Sequence, residues 1–408
     1  MRGSALGVLV VNVRVEVFMV AATLDLDEAE GRLWDVVVVG AGLAGSLAAR
    51  QIAAEGVGVL LVDRKTFPRP KVCGACLNGK ALAVLDSVGL GDRVERLGGL
   101  NLSRFEVRMG RREAGFSLPG GKALTRDVLD EALVEEAVAA GTEFLPGTAA
   151  SLEGGGEDAR IVRLRSRGRE VRTQARVVVV ASGLAGLDVS AERGLRARVW
   201  SGSRIGAGCV VERFPEAYQE GTIHMAVGRS GYVGVVRVGN GLLNVAGAFD
   251  RGFVRDSGGP GEAARAVIEG AGYPPVPDLG RVRWLGTVGL TRKVRPVGGD
   301  RLFLIGDAAG YVEPFTGEGM GAALTTARGV APLAVRAVSR WTPSLARDWA
   351  RLYHRLVGRG QVVCRGLTLA TRNPWVARGA FALSEGAPEV SRHLIHILNQ
   401  PPVSFEAT

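Results

Sequence analysis

Trp34-Asp-Val-Val-Val-Val-Gly40-Ala41-Gly42-Leu43-Ala44-Gly45 decides the fold of this chain. Residues 36–39 are an unbroken run of valine, as in a strand buried on both faces. Gly40 permits a tight turn out of that strand. Gly42 lets backbone approach a pyrophosphate, and Gly45 lets the next helix, over residues 43–55, pack on the sheet. The turn into that helix and its first residues, Ala41 to Ala44, offer free N–H groups and a partial positive charge to phosphates. A second strand over 58–62 ends at Asp63 and Arg64. An acid there, about 20 residues past the glycines, is placed to hold ribose hydroxyls.

With 408 residues the chain is long enough for two or three packed units. A 47% hydrophobic, 23% charged composition is that of a globular protein rather than a disordered one. The net charge of +10 does not indicate nucleic acid. All but five of the 51 basic residues are Arg, and they are scattered, with no basic run interleaved with aromatics. They imply a general attraction to anionic ligands or surfaces. Four cysteines in this length exclude a disulfide framework; Cys73 and Cys76 form a C-x-x-C pair, while Cys209 and Cys364 read as packed thiols. His224, His354, His393 and His396 have no metal-ligand spacing, so no metal site is expected. No apolar run is long enough to span a bilayer, and residues 5–20 are interrupted by Asn12, Arg14 and Glu16. A cytoplasmic chain is expected.

Pro68 and Pro70 make 64–76 an extended loop. Helices follow over 79–87 and 125–140, the latter capped by Thr125 with Asp127 and Asp130 in its first turns. Residues 105–109 and 115–118 read as a hairpin. Short strands are expected near 143–146, 149–153, 159–166 and 169–174, and a buried strand at 176–181. Between about 196 and 286 strand-like runs dominate (207–212, 222–227, 231–238, 242–249), joined by glycine turns and interrupted by one helix at 261–268. A strand at 301–305 and a long helix from Gly319 close the pattern. The expected architecture is α/β: a Rossmann-like nucleotide domain with an inserted antiparallel sheet and a helical tail. Its boundaries are a flexible extension at 1–32, a discontinuous nucleotide domain (33–100, 120–190, 287–340), a substrate sheet (101–119, 191–286) and a helical region (341–408).

A second motif narrows the ligand. Leu304-Ile-Gly306-Asp307-Ala-Ala-Gly310 puts a carboxylate at the end of a buried strand, in reach of a ribityl hydroxyl. Pro314-Phe-Thr-Gly317-Glu-Gly319-Met320 then opens a helix through a glycine-rich turn. Such a helix N-terminus can face the C2 carbonyl and N1 of an isoalloxazine ring and stabilise the charge that builds there on reduction.

With these motifs the chain resembles the single-FAD-domain flavoproteins. That superfamily includes para-hydroxybenzoate hydroxylase-like monooxygenases, geranylgeranyl reductases and flavin-dependent halogenases. The resemblance spans roughly residues 34–338. It rests on the glycine fingerprint, Phe67-Pro-Arg-Pro-Lys71-Val-Cys73-Gly74, Arg126 with Asp130, Val178-Val-Val-Ala-Ser182-Gly183, and Gly306-Asp307 through Met320. The Lys-x-Cys-Gly element is most like the reductase branch, where this loop lies near the flavin ring, and Arg126 matches a cofactor-contacting position. The resemblance implies FAD, with NAD(P)H as reductant.

Three positions depart from the family pattern. Ser182 stands where the second fingerprint usually has an acid. Tyr232-Val-Gly234-Val-Val236-Arg237 stands where prenyl reductases carry Tyr-x-Trp-x-Phe-Pro, and the halogenase Trp-x-Trp-x-Ile-Pro is absent. The implied activity is that of an FAD-dependent oxidoreductase on a hydrophobic small molecule or lipid. The leading expectation is a monooxygenase, in which reduced FAD and oxygen give a C4a-hydroperoxide that hydroxylates or epoxidises the substrate. The alternative is hydride delivery to a C=C bond of a lipid or polyketide-like substrate, with Cys73 near the ring. Tyr232 and Arg237 are the substrate-side candidates beside Cys73. Thiol–disulfide exchange at Cys73 and Cys76 lacks a second dinucleotide fingerprint to supply it. A non-catalytic reading gives the Arg-rich tail, with Trp341, Trp349, Leu352, Leu356, Trp375, Phe381 and Leu394, to a membrane surface; the same residues also suit a lid packed on the nucleotide domain.

Overall fold

The computed structural model describes residues 20–184, 195–313, 315, 317–372, 375, 376 and 379. Its first layer is an eight-stranded sheet. Five strands run parallel in the order Leu302–Leu304, Arg169–Val180, Leu33–Val39, Val59–Val62 and Glu143–Leu145. The valine run lies at its centre, with Val36 opposite both Val177 and Val59. Helix Leu43–Ala53 packs against helices Arg126–Ala139 and Glu318–Ser339.

Where two strands were expected at 169–174 and 176–181, the chain forms one, Arg169–Val180. Its first half alternates exposed and buried and pairs antiparallel with Arg160–Ser166; its second half is continuously buried and pairs parallel with Leu33–Val39. The change in burial pattern mimicked a break, but no Gly or Pro interrupts the backbone. The 1–32 extension also differs from expectation over its described part. Leu24 and Ala29 are buried in the main core, Thr23 N–H donates to the Phe144 carbonyl, and Gly31 N–H donates to that of Arg172. Thr125 precedes its helix with extended backbone but makes no side-chain cap.

The second layer is a seven-stranded sheet in the order Leu285–Gly289, Ile205–Val211, Leu242–Phe249, Gly231–Val238, Thr222–Gly228, Arg104–Met109 and Arg112–Ser117. Its neighbours are antiparallel except Thr222–Gly228 with Arg104–Met109. That parallel pair is feasible because a long crossover through the first layer joins the two strands. The expected boundary at 286/287 falls inside the edge strand Leu285–Gly289. Helix Pro260–Gly270 covers one face, placing Ala263, Ala264, Val267 and Ile268 against Val233, Val235, Val245 and Phe249. The other face looks back toward the first layer.

Two small sheets join the layers: Cys76–Asn78, Gly121–Ala123 and Leu100–Asn101; and Arg196–Val199, Arg292–Arg295 and Gly310–Tyr311. The loop expected over 64–76 therefore ends in a strand at Cys76. The C-terminal helix Pro343–Arg372 is docked rather than loose. Trp349 is fully buried and donates Nε1–H to the Leu304 carbonyl at 3.0 Å, with Phe303 edge-on to it. Burying an indole of ~200 Å² contributes at most about 5 kcal/mol. Leu352 and Leu356 pack on the same core. Among the described residues no helix is long and apolar enough to cross a membrane. Phe381, His393, Leu394 and His396 lie outside the described residues.

Candidate functional site

Between the layers lies a cavity of about 1140 Å³. Its nucleotide end is built on the glycine turn. Gly40 has φ +106°, and a Cβ there would lie 2.6 Å from the Ala181 carbonyl oxygen. A Cβ on Gly45 would lie 1.7 Å from the Gly40 oxygen, so helix and strand are in backbone contact. At Gly42 a Cβ would meet only side-chain ends, Arg126 and Arg69 Nη2 at 3.4 Å. The space above Gly42 is a cradle that a methyl group would fill and a pyrophosphate fits. No side chain caps helix Leu43–Ala53, which leaves its first N–H groups for an anion.

Asp63 is buried at the end of its strand. Its Oδ2 accepts Ala41 N–H at 2.8 Å and its Oδ1 accepts Lys65 N–H at 2.9 Å. These bonds hold the carboxylate rigidly where ribose hydroxyls can reach its remaining lone pairs. Arg126 forks onto Asp130 through Nε (2.8 Å) and Nη2 (2.9 Å), with both side chains buried. Arg69, absent from the sequence expectations, reaches Asp63 at 3.4 Å and Asp130 at 3.5 Å and lines the cavity. Its sequence signal was its place inside the Phe67–Gly74 motif, between Pro68 and Pro70.

The second motif lines another part of the same cavity, where the expected flavin ring would lie. Gly306 donates its N–H to Thr326 Oγ1 on the following helix at 3.0 Å. Asp307 faces Lys71 Nζ at 3.6 Å. Burial lowers the Lys71 pKa, and the Arg126 charge adds to this; Asp307 and Asp130 act against it. Gly317, Gly319 and Met320 line the cavity below Asp307, beside Tyr311 and Phe315. The volume, the cradle at Gly42 and the uncapped helix suit FAD laid from Asp63 to Met320.

Of the expected residues, Gly40, Gly42, Ala44, Asp63, Arg64, Lys71, Cys73, Gly74, Arg126, Gly306, Asp307, Gly317, Gly319, Met320 and Tyr232 line this one cavity. Ala41 and Gly45 do not; they act from behind, through the Asp63 hydrogen bond and the helix–strand contact. Arg237 is a correction. Strand Gly231–Val238 alternates, so Tyr232, Gly234 and Val236 share one face and Arg237 takes the other. Its guanidinium donates to the carbonyls of Tyr218 and Glu216 and lies over Phe214, away from the cavity.

The part of the cavity bounded by the seven-stranded sheet is apolar: Leu102, Phe105, Leu118, Ile223, Met225 and Leu290 are among its walls. Tyr232 is packed edge-on to Phe315 (ring centroids 5.1 Å), and its hydroxyl has no hydrogen-bond partner among the described residues. Burial raises the pKa of Tyr232 and of Tyr311 well above the ordinary phenol value, with Glu313 adding to the first and Asp307 to the second. Cys73 and Cys76 are both free thiols. The Cys73 carbonyl accepts from Asn244 Nδ2 at 3.0 Å, which ties this loop to the substrate sheet. Burial and the neighbouring Cys73 push the Cys76 thiol far up, so it is a poor nucleophile.

Behind the Tyr232 wall sits a charge cluster that sequence gave no sign of. Glu313, fully buried, pairs with Arg204 at 3.1 Å and Arg372 at 3.3 Å, joining the substrate sheet, the flavin-facing turn and the C-terminal helix. These residues lie far apart in the chain and share no motif. Among the described residues no group of three His, Cys, Asp or Glu could hold a metal.

The FAD binding domain family model matches residues 34–238. A menaquinone reductase of Mycobacterium tuberculosis is 34% identical over 368 residues, 83% of this chain and 84% of that protein. A digeranylgeranylglycerophospholipid reductase of Methanopyrus kandleri is 32% identical over 333 residues, 75% of this chain and 81% of that protein. Among solved structures, a flavoprotein/dehydrogenase from Cytophaga hutchinsonii superposes with a TM-score of 0.75 at 19% identity, covering 90% of this chain and 93% of that one. The flavin-dependent brominase Bmp2 gives 0.73 at 17%, with the same coverage.

Proposed function

The chain belongs to the FAD-binding-domain flavoproteins and is an FAD-dependent oxidoreductase, and from that premise we propose that it reduces a C=C bond of an isoprenoid lipid or lipid-quinone, with NAD(P)H as electron donor. The observation that carries this reading is the lining of the cavity. Among the described residues it contains no histidine or glutamate, and its two aspartates, Asp63 and Asp307, belong to the cofactor end. Its phenols Tyr232 and Tyr311 have pKa values raised by burial and stay protonated, and Tyr311 is the half-buried one of the two. Saturating an alkene needs a hydride on one carbon and a proton on the other, and no base. Hydroxylating a phenol would call for a base to take its proton.

FAD, when bound, supplies the hydride. The rest of the chemistry belongs to the chain. The apolar wall from Leu102 to Leu290 excludes water and holds a hydrocarbon segment. Tyr311, half-buried on the wall of the same cavity, is the candidate donor of the proton to the second carbon and recovers it from solvent once the product leaves. Names of the relatives add support: both act as reductases, on menaquinone and on a digeranylgeranyl lipid. The likeness to the brominase is one of fold.

The test is NADPH and NADH oxidation by purified protein with a menaquinone offered under nitrogen and under air. Turnover that needs the alkene and persists without oxygen supports the reductase. Turnover that needs oxygen and yields a hydroxylated or epoxidised product returns the chain to the monooxygenases.

A further inference from the structure

The rim of the cavity carries an apolar surface that its chemistry does not use. Strand Leu285–Gly289 is the edge of the substrate sheet, and Leu285, Gly286, Thr287 and Val288 line the cavity from there. Val288 also faces outward. A Cβ on Gly289 would come within 2.9 Å of Val199 Cγ1, so Val199 stands on this rim. Trp200 follows it, and the Arg372 guanidinium stacks over its indole at 4.9 Å. Arg372 ends the C-terminal helix, with Leu369 one turn before it and Trp375 and Val376 just after. Val288, Val199, Trp200, Leu369, Trp375 and Val376 are between 40% and 76% exposed. Single exposed hydrophobics are ordinary; two groups of large ones brought together beside a cavity mouth by the Arg372–Trp200 contact are not.

The surroundings are basic. Helix Pro343–Arg372 has six Arg against one acid, Asp348. Its outward stripe runs Arg355, Arg359, Val362, Arg365, Leu369 at helical spacing. Exposed Arg198 and Arg283 flank the rim from the sheet side. Tryptophan and leucine beside arginines, on a helix whose other face is packed on a core, are the composition of an interfacial surface.

We propose that this face, from Val288 through Trp200 to Trp375, docks on an anionic lipid bilayer and opens the cavity directly to the acyl phase. Charge complementarity selects lipid: the arginines fit phosphate headgroups, and the apolar side chains reach below them. Continuity with the rim supplies the purpose, since an isoprenoid chain then enters the cavity without crossing water. The choice of substrate rests on the reductase reading; the docking itself does not.

The test is sedimentation of FAD-loaded full-length protein with phosphatidylcholine vesicles, with and without phosphatidylglycerol, at low and high salt. Binding is expected to the anionic vesicles at low salt and to weaken with salt. Leu369→Ser with Trp375→Ser, and separately Arg365→Glu, are expected to weaken it about tenfold or more while flavin content is unchanged. No binding to anionic vesicles at low salt overturns the proposal, as does equal binding by the variants. Light scattering that shows a dimer dissolved by Trp200→Ser overturns it in favour of a second copy of the chain. Turnover of a short, water-soluble prenyl quinone separates the two readings. Its absence in the wild type sinks the reductase, whereas its retention in variants that lose vesicle-borne substrate supports the docking surface.

Discussion

Gly42→Ala and Gly45→Ala add the same methyl group three residues apart and are expected to fail differently. At Gly45 the new Cβ lies 1.7 Å from the Gly40 oxygen, 2.9 Å from its carbonyl carbon and 3.1 Å from the Ala181 Cβ. Normal contact needs about 3.4 Å, and two of these three atoms are backbone. The helix must therefore retreat by well over 1 Å along the strand that anchors the sheet. Overpacking in a core costs about 1–3 kcal/mol when side chains can yield. Here they cannot, so about 3 kcal/mol or more is expected. At Gly42 the nearest atoms are guanidinium nitrogens at 3.4 Å, which is ordinary contact. The apoprotein should tolerate that methyl to within about 0.5 kcal/mol. The methyl instead occupies the cradle of the pyrophosphate and should weaken FAD binding about 100-fold, or about 3 kcal/mol. Urea unfolding of apoprotein and fluorescence titration with FAD separate the two effects. A Gly42→Ala protein that binds FAD normally, or a Gly45→Ala protein as stable as the parent, would refute the assignment of roles within the turn.

Other expectations follow from single contacts. Tyr311→Phe should slow alkene saturation about 100-fold while reduction by NAD(P)H persists, read by stopped-flow absorbance; Tyr232→Phe, whose hydroxyl is shut away from the cavity, should not. Asp130→Ala strands the buried Arg126 charge and should cost about 3–5 kcal/mol in chemical unfolding; Glu313→Ala, which removes the shared partner of Arg204 and Arg372 but leaves Arg204 its pair with Asp250, should cost less. His224 is held below its ordinary value of 6.5, first by burial and then by Arg108, with Glu106 opposing. The unfolded chain then binds the extra proton first, so this contribution to stability is complete above about pH 6.5 and is lost as pH falls toward the folded value. Unfolding midpoints across that window should lose this slope in His224→Gln.

Local chemistry made the nucleotide end legible. The valine run, three glycines and Asp63 lie within 30 residues and act mostly on one another, so spacing alone carries their geometry. The Asp307-to-Met320 segment is equally local. Contacts between distant segments were not legible. Arg69 meets Asp130, Arg204 meets Glu313, and Asn244 holds the Cys73 carbonyl, each across a separation no periodicity reports. Arg237 went astray for a simpler reason. It sits an odd number of residues from Tyr232, and strand alternation sends the two to opposite faces. The strand Arg169–Val180 was split because one half is amphipathic and the other fully buried, a change of environment rather than of backbone. Leu24 and Ala29 fall in an extension expected to be flexible, and only the packed core shows their use.

An anaerobic single turnover tests the central claim most directly. Protein carrying FAD is reduced with NADPH under nitrogen, mixed with one equivalent of menaquinone, and the products are weighed by mass spectrometry. The account predicts reoxidation of the flavin together with a product heavier by two hydrogens on the isoprenoid chain, the quinone ring being reoxidised before analysis. A flavin that stays reduced until oxygen is admitted, with an oxygen atom then found in the product, would contradict it.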